Sequence, residues 1–177
     1  MGGGSITIIP QGTKNQGAYH AAGNALLYGA TGGQLYISGR VGQRFGVRNS
    51  WGIAVVEGCS AHAAEYMTGG TLIILGSIGF NFGAGMTGGK VILLNTQKNF
   101  EQYISKSAPE SREINDIDAL ELRAFLNKHI EQTGSPLAKD ILSKEPDWSK
   151  MFTVFGGLAN VTESDINIAK AKIEALD

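Results

Sequence analysis

The sequence predicts a mainly β fold in which the chain winds as a parallel β-solenoid and then ends in helices. The tripeptide Thr-Gly-Gly occurs three times, beginning at Thr31, Thr68 and Thr87, and Ser-Trp-Gly at 50–52 fills the gap between the first two. We call these four tripeptides the corners of the repeats. Each corner is followed by a short apolar run: QLYIS, IAVVE, TLIIL and KVILL. A short fixed period with one strand per repeat is typical of a solenoid. The glycines directly before the runs recur at a nearly constant interval, at Gly33, Gly52, Gly70 and Gly89.

The composition of one repeat explains why the repeats must stack. A five-residue apolar run cannot bury its side chains alone, but it can pair with the next run about 4.8 Å away and form a continuous core. Glycine suits the corners because it adopts positive φ and allows close backbone approach, and the chain has 25 glycines. The second half of each repeat also recurs. It predicts a second, shorter strand with inward residues Leu26, Phe45, Ala63 and Phe82.

The first strand is expected at 6–9, where Pro10 stops it. The segment AYHAAG falls where the next strand is due. The glycines at its two ends, Gly17 and Gly23, precede the equivalent Gly33 and Gly39 of the following repeat by less than a full period. We interpret it as a coil with about three residues missing from its solvent-facing loop. The sequence thus predicts about six coils, with strands near 6–9, 18–22, 34–38, 53–57, 71–75 and 90–94.

The part of the sequence after residue 95 predicts helices. Apolar residues recur at helical spacing from an Asp116 cap to Gln132, and Pro136 begins a second helix. The two helices form a hairpin that we expect to cap the solenoid or pack along its side, because an open strand edge invites aggregation. An extended run at 151–156 and a last helix at 163–176 complete the predicted elements.

The length of 177 residues suits one domain with an appendage. We place the boundary after the irregular turn that follows the last apolar run. The predicted organisation is therefore a β-helix glycine-repeat domain at 1–110 and a helical C-terminal appendage at 111–177, packed on the solenoid.

The longest sequence motifs of the repeat region resemble those of a known family. In their order and spacing they are similar to the C-terminal glycine-repeat domain of the glutamate synthase large subunit, over roughly residues 5–155. One loop departs from the family pattern, because Cys59-Ser60-Ala61-His62 stands where the family usually has a glycine and an aspartate. The matching motifs are LYGATGG at 27–33, GRVGQRFGVRNS at 39–50, VVEG at 55–58, EYMTGG at 65–70, GFNFGAGMTGG at 79–89 and IEQTGS at 130–135.

This resemblance implies a right-handed, single-stranded parallel β-helix without catalytic residues of its own, which serves as a structural part of an enzyme of glutamate biosynthesis and ammonia assimilation. The implied partners are a glutamine amidotransferase with an N-terminal cysteine and an FMN-binding synthase barrel. FMN, an iron–sulfur cluster and NAD(P)H or ferredoxin would bind to those parts. A related glycine-repeat domain forms one of the subunits of formylmethanofuran dehydrogenase, and this alternative stays open, as does a stand-alone interaction protein of the same fold.

Composition argues against several other classes of function. The formal net charge of −1 gives no electrostatic footprint for nucleic acid. No run approaches ~18 apolar residues, so we expect no membrane span. The single Cys59 cannot form a disulfide within the chain or supply the thiolates of an iron–sulfur cluster, which fits a cytoplasmic location. A homo-oligomer stays possible.

Two apparent catalytic or cofactor motifs have simpler structural interpretations. Gly83, Gly85 and Gly88 spell G-x-G-x-x-G, but a dinucleotide site needs a helix after the glycines, and the strand-like KVILL follows them here. Cys59 could be a nucleophile beside His62 and an acid, Glu65. Packing of a loop explains these three residues more simply.

Basic side chains supply two further sets of candidates. The histidines fall in three different elements without a second ligand at metal spacing: His20, His62 and His129. A second set could contact an anionic cofactor of a neighbouring subunit, although solvated or paired arginines are favoured. It consists of Arg40, Arg44 and Arg48.

Aromatic and acidic residues complete the candidates. Aromatic residues on or beside turns are either interface anchors or core: Tyr36, Trp51, Tyr66 and Phe80. A β-helical polysaccharide lyase or hydrolase would need clustered carboxylates, and the repeats hold only Glu57 and Glu65. We therefore expect no catalytic, cofactor-binding or metal-ligating residue in this chain. The chemistry would belong to its partners.

Overall fold

A computed structural model describes residues 3–11, 19–144, 150–158 and 160–174. The strands are β1 (Ser5–Ile8), β2 (His20–Ala22), β3 (Gln34–Ile37), β4 (Arg40–Val41), β5 (Ile53–Val56), β6 (Thr68–Ile74), β7 (Gly88–Leu94), β8 (Ser111–Arg112) and β9 (Phe152–Gly156). The helices are α1 (Asp116–Thr133), α2 (Pro136–Leu142) and α3 (Glu163–Glu174), and a 3₁₀ turn covers Phe100–Tyr103.

The predicted parallel solenoid is confirmed by the register of its main sheet. The strands β1, β3, β5, β6 and β7 lie side by side and are all parallel. Gln34 pairs with Ile53, Ile53 with Thr71, and Thr71 with Lys90. These partners are separated by the same intervals as the corner glycines, so the sequence period is the length of one turn of the chain.

The predicted number of coils was too high. Ser5 pairs with Gln34, so β1 lies directly beside β3 and the first turn is about one and a half times as long as the later turns. The run predicted as a main-sheet strand at 18–22 forms β2 instead, which pairs with β4 in a separate two-stranded sheet, while residue 18 lies outside the described residues. Alanines 21 and 22 are partly buried and pack against the core at this corner. The described chain thus has five main-sheet parallel strands joined by four turns.

The second side of each coil is not a β-strand, although the sequence predicted one. We call it the second wall and define it as residues 24–29, 43–48, 61–66 and 80–85. In its backbone every other residue has a positive φ: Ala25, Leu27 and Gly29; Arg44, Gly46 and Arg48; His62, Ala64 and Tyr66; Asn81, Gly83 and Gly85.

Hydrogen bonds between coils hold the second wall in this conformation. The N–H of Arg44 donates to the Ala61 carbonyl and that of Arg48 to the Glu65 carbonyl, both at 2.9 Å. The N–H of Gly46 donates in the opposite direction, to a carbonyl of the preceding coil at 2.9 Å. A left-handed non-glycine residue costs roughly 1–2 kcal/mol, and these bonds offset that cost. The predicted inward residues pack in the core, with Phe45, Ala63 and Phe82 buried and Leu26 against them.

The central strands of the main sheet, β3 and β5–β7, are buried on both faces along their apolar runs, which explains why these runs do not alternate with polar residues. The inner face of the sheet packs against the second wall through Leu35, Ile37, Ala54, Val56, Leu72, Ile74, Val91 and Leu93. Its outer face carries Tyr36, Val55, Ile73 and Ile92, which pack beneath Leu122, Phe125, Leu126 and Ile141 of α1 and α2. Of the two placements expected for the hairpin, the structure therefore shows packing along the side.

Helix α1 crosses the strands of the main sheet. Near its first turn, Asp118 meets Lys90 of β7 at 2.8 Å. Near its last turn, Gln132 accepts a hydrogen bond of 3.0 Å from Thr7 of β1. These two helical positions are about 14 residues and therefore about 21 Å apart, and four strand spacings cover about 19 Å. The helix is therefore long enough to lie across all five parallel strands.

The C-terminal strands close the end of the main sheet. The predicted run at 151–156 forms β9, which pairs antiparallel with β7 through Val91–Phe155 and Leu93–Thr153. β8 then pairs with β9. This covers the edge that the last coil would leave open. The last helix begins where predicted, and its predicted residues 175–176 lie outside the described residues. The boundary at 110 stays a prediction, and strands from both of its sides share this sheet.

Candidate functional site

The second wall and the adjoining corner at Trp51 carry most of the aromatic candidates. Trp51 is 72% exposed, Phe80 61% and Tyr66 58%. Tyr36 is fully buried, with its ring centroid 6.2 Å from that of a histidine in α1. The structure thus assigns Tyr36 to the core and the other three to the surface. Sequence reasoning missed Tyr28, which is half exposed, although it lies on the same wall.

Two of the exposed rings are held in place by their neighbours. The ring of Tyr66 lies against Gly85, where an added Cβ would come within 2.7 Å of the ring carbons. Phe80 contacts Tyr103 with ring centroids 4.9 Å apart and an angle of 46° between planes. Side chains that are already ordered lose less conformational entropy when a partner binds.

The three candidate arginines divide into two kinds. Arg40 is partly buried and ties neighbouring coils together, because its guanidinium donates to Ser77 Oγ and to the Cys59 carbonyl, the latter at 3.0 Å. Arg44 and Arg48 are exposed on the second wall. Within the described ranges, neither has an ion-pair partner. Arg40 is therefore held by hydrogen bonds within the chain, whereas Arg44 and Arg48 present positive charge to solvent.

The structure separates the thiol from its predicted acid/base neighbours. His62 Nδ1 lies 2.7 Å from Glu65 Oε1, so these two form a pair on the second wall. Cys59 is fully buried in the core. Burial raises the pKa of its thiol from 9.0 to about 12, against the smaller opposing effect of the Arg40 charge. The thiolate, which is the nucleophilic form, is thus scarce at neutral pH.

We expect Cys59 to resist thiol reagents in the folded protein. Because the thiol is buried and its pKa is raised to about 12, only a very small fraction of it is thiolate between about pH 7 and pH 9, and the rate of labelling by Ellman's reagent should stay far below that of an exposed thiol throughout this range. The same chain in denaturant is the control, and there the thiol should react rapidly, with a rate that rises as pH approaches its ordinary pKa. Rapid labelling of the native protein at neutral pH would show that the thiol is accessible.

A buried polar cluster, which sequence reasoning did not find, lies between the main sheet and the helical hairpin. Glu57 Oε1 accepts a hydrogen bond of 2.5 Å from Ser135 Oγ and one of 3.4 Å from Ser38 Oγ. His129 Nε2 lies 3.6 Å from the same oxygen, at ion-pair distance, with both side chains fully buried. The one signal of this cluster in the sequence was Glu57 itself, a charged residue at the repeat position that Leu75 occupies in the next coil.

A groove of about 650 Å³ lies between the glycine corners of β6 and β7, the start of α1, and α3. Its charges on the side of β7 and α1 are paired within the chain, because Lys90 meets Asp118 at 2.8 Å and Glu121 at 2.9 Å, and the nearby Arg112 meets Asp118 at 2.5 Å. Burial alone would raise the pKa of Asp118, but the hydrogen bond from Arg112 and the charge of Lys90 together hold it below its usual value. This side of the groove therefore presents little unbalanced charge to a ligand.

The remaining motifs occupy structural places. Gly83 and Gly85 lie on the second wall and Gly88 begins β7, so a strand follows the G-x-G-x-x-G word. The three histidines lie in three separate elements, β2, the second wall and α1. Across the described ranges, no three His, Cys, Asp or Glu side chains are grouped so that they could hold a metal ion.

Comparison with protein families gives a match over most of the chain. The family described as the GXGXG motif matches residues 1–157. The chain belongs to the GXGXG family.

The relatives of this GXGXG chain are glutamate synthases, as the resemblance predicted. It is 37% identical over 180 residues to "Ferredoxin-dependent glutamate synthase, chloroplastic" of Spinacia oleracea, covering 99% of this chain and 11% of the relative. It is 43% identical over 158 residues to "Ferredoxin-dependent glutamate synthase 2" of Synechocystis sp., covering 86% and 10%. It is 42% identical over 137 residues to "Glutamate synthase [NADPH] large chain" of Bacillus subtilis, covering 73% and 9%.

The GXGXG chain spans about a tenth of the length of these relatives. The activity in their names therefore belongs to much longer proteins. The alternative of a formylmethanofuran dehydrogenase subunit gains no support from them. None of the helices in the described ranges has the length and apolar character needed to cross a membrane.

Proposed function

We propose that this chain is a non-catalytic scaffolding domain or subunit of a glutamate synthase-type assembly. The observation that carries the proposal is its 37% and 43% identity to a segment that makes up about a tenth of glutamate synthases from a plant and a cyanobacterium. In this proposal the chain holds a glutamine amidotransferase and an FMN-binding synthase domain together, so that they act more efficiently, and takes no chemical step itself.

The structure supports this role through what it offers to a partner. The coils are locked to one another by backbone hydrogen bonds on both sides of the core, so the molecule can present a fixed surface. Exposed aromatic residues such as Trp51 and Tyr66 stand on that surface, and aromatic side chains with arginine are the usual anchors of protein interfaces. A stable contact should bury more than ~1,000 Å² in total.

The proposal places the cofactors on the partners. FMN, the iron–sulfur cluster and the electron donor, ferredoxin or NAD(P)H, would bind to the synthase part, since the chain has only one cysteine, Cys59, and it is buried. The assembly would work in the cytoplasm or, as in the spinach relative named "chloroplastic", in an organelle. Self-association of the chain is compatible with this role.

Co-expression tests the proposal. The chain is produced together with the amidotransferase and FMN-binding synthase proteins of the same organism and passed over a size-exclusion column, with each protein run alone as the control. We expect co-elution, with flavin absorbance in the complex and none in the chain alone. Separate elution at micromolar concentration, together with unchanged activity of the partners without the chain, would contradict the scaffolding role.

A further inference from the structure

We infer that the second wall, together with the adjoining Trp51, is the docking face of this molecule, and that it binds an acidic surface of a partner protein. The inference rests on the proposed function and adds to it the face that is used and the charge of the partner. It follows from three properties of this face: exposed aromatic area, prior order and unpaired positive charge.

Exposed aromatic area is concentrated on this face. The main sheet cannot supply it, because α1 and α2 cover its outer side. On the second wall and its corner, four large aromatic side chains are each more than half exposed, and they come from four successive coils. They are Tyr28, Trp51, Phe80 and Tyr66. They lie on the second wall or at its adjoining corner, on successive coils about 4.8 Å apart.

Two of these four aromatic side chains are held in place before any partner arrives. Tyr66 lies against Gly85, and Phe80 lies against Tyr103. The backbone beneath them is fixed by hydrogen bonds between coils, such as the one of 2.8 Å from the Tyr66 N–H to the Ala84 carbonyl. The Phe80 carbonyl likewise accepts a bond of 2.8 Å from an N–H of the preceding coil. Rigid aromatic side chains give contact area at low entropic cost, which is characteristic of binding surfaces.

The charges of the second wall select the partner. The wall holds two arginines, Arg44 and Arg48, and a single acid, Glu65, which is already paired with His62. A second copy of this chain docking through the same face would bring equivalent patches together, and so arginines against arginines. A partner that presents carboxylates to the guanidinium groups, around an apolar centre, matches both the charge and the aromatic area.

Charge reversal tests the inference. The full chain carrying Arg44→Glu and Arg48→Glu is titrated separately against the amidotransferase and the FMN-binding synthase proteins. Both sites already have left-handed backbone, with φ of 61° and 55°, so the change from one non-glycine residue to another adds no backbone strain. The control carries Lys139→Glu and Lys170→Glu, an equal change of net charge on exposed positions of α2 and α3.

We expect the wall variant to raise the dissociation constant for the bound partner by about tenfold or more, and the control to stay within about twofold of the wild type. Wild-type binding should also weaken as salt is added. If the wild type binds and the wall variant binds equally well, the docking face is wrong while the scaffolding role stands. If the wild type binds neither partner, the scaffolding role itself fails. Binding of a single-stranded DNA probe through the same arginines would overturn the assignment of a protein partner.

Discussion

Replacing Gly69 with valine should lower the free energy of unfolding by about 3–5 kcal/mol. Gly69 is the middle residue of the Thr68-Gly69-Gly70 corner, which precedes the apolar part of β6, and a Cβ added there would overlap the carbonyl oxygen of Ser50 in the preceding coil. Backbone atoms of a stacked coil cannot move aside without breaking the hydrogen bonds of that coil, so the cost appears as strain throughout the stack. Urea unfolding followed by circular dichroism measures it.

Gly88→Val should behave in the same way, because its Cβ would meet the carbonyl oxygen of Thr68. Gly23→Val is the matched control, since no atom lies within 4 Å of a Cβ added at that position. It should change stability by less than about 1 kcal/mol. Equal unfolding midpoints for all three variants would mean that the coils do not stack in the register described.

Two causes of this effect are expected from the sequence: a positive φ at Gly69 and Gly88, and a clash between stacked coils. The structure supports the second of them. The structure has positive φ at the third residue of the corner instead, with 82° at Gly70 and 75° at Gly89. The middle glycines are therefore required by the close approach of the neighbouring coil and not by their own backbone conformation.

Glu57→Ala should destabilise the protein by about 2–4 kcal/mol, because each buried polar group that loses its partner costs about 1–3 kcal/mol. The change takes away the oxygen that Ser135 contacts at 2.5 Å and His129 approaches at 3.6 Å, and leaves both buried. Because these two residues lie at the end of α1 and the start of α2, the hairpin should loosen first. Urea unfolding gives the total loss, and hydrogen exchange of the hairpin amides shows where it occurs.

The matched control for this prediction is Glu131→Ala. Its carboxylate is 65% exposed and lies 3.4 Å from Lys128 on the same helix, and an exposed pair of this kind contributes less than about 1 kcal/mol. The loss of unfolding free energy in Glu57→Gln should fall between those of Glu57→Ala and Glu131→Ala, because an amide oxygen can still accept a hydrogen bond from Ser135. Unchanged hairpin exchange in Glu57→Ala would show that the buried carboxylate does not anchor the helices.

The regular part of the fold could be predicted because its signal is repeated. A nearly constant period sets the strand partners directly, as the pairs Gln34–Ile53 and Thr71–Lys90 show. The first turn of the solenoid departs from this period. It runs from Ser5 to Gln34 and is about one and a half periods long, and the alanine-containing segment within it has the composition of a strand but pairs at another corner.

The backbone conformation of the second wall could not be predicted from the sequence. Arg48 and Tyr66 have left-handed backbone with φ of 55° and 53°, yet neither residue type favours it. That conformation comes from hydrogen bonds to adjacent coils, which a local pattern does not contain. The same limit applies to the aromatic candidates. Both Tyr36 and Tyr66 lie close to glycine corners in the sequence, and only the position of α1 decides that Tyr36 is buried.

The course of α1 across the sheet has a consequence for how the molecule melts. In a repeat protein whose units contact only their neighbours, the terminal units can fray one at a time. Here a single helix is joined to the last parallel strand through Lys90 and Asp118 and to the first through Thr7 and Gln132. Detaching either end coil therefore disturbs a helix that spans the other coils as well. Loss of order should spread through the whole stack, and the chain should melt in one cooperative transition.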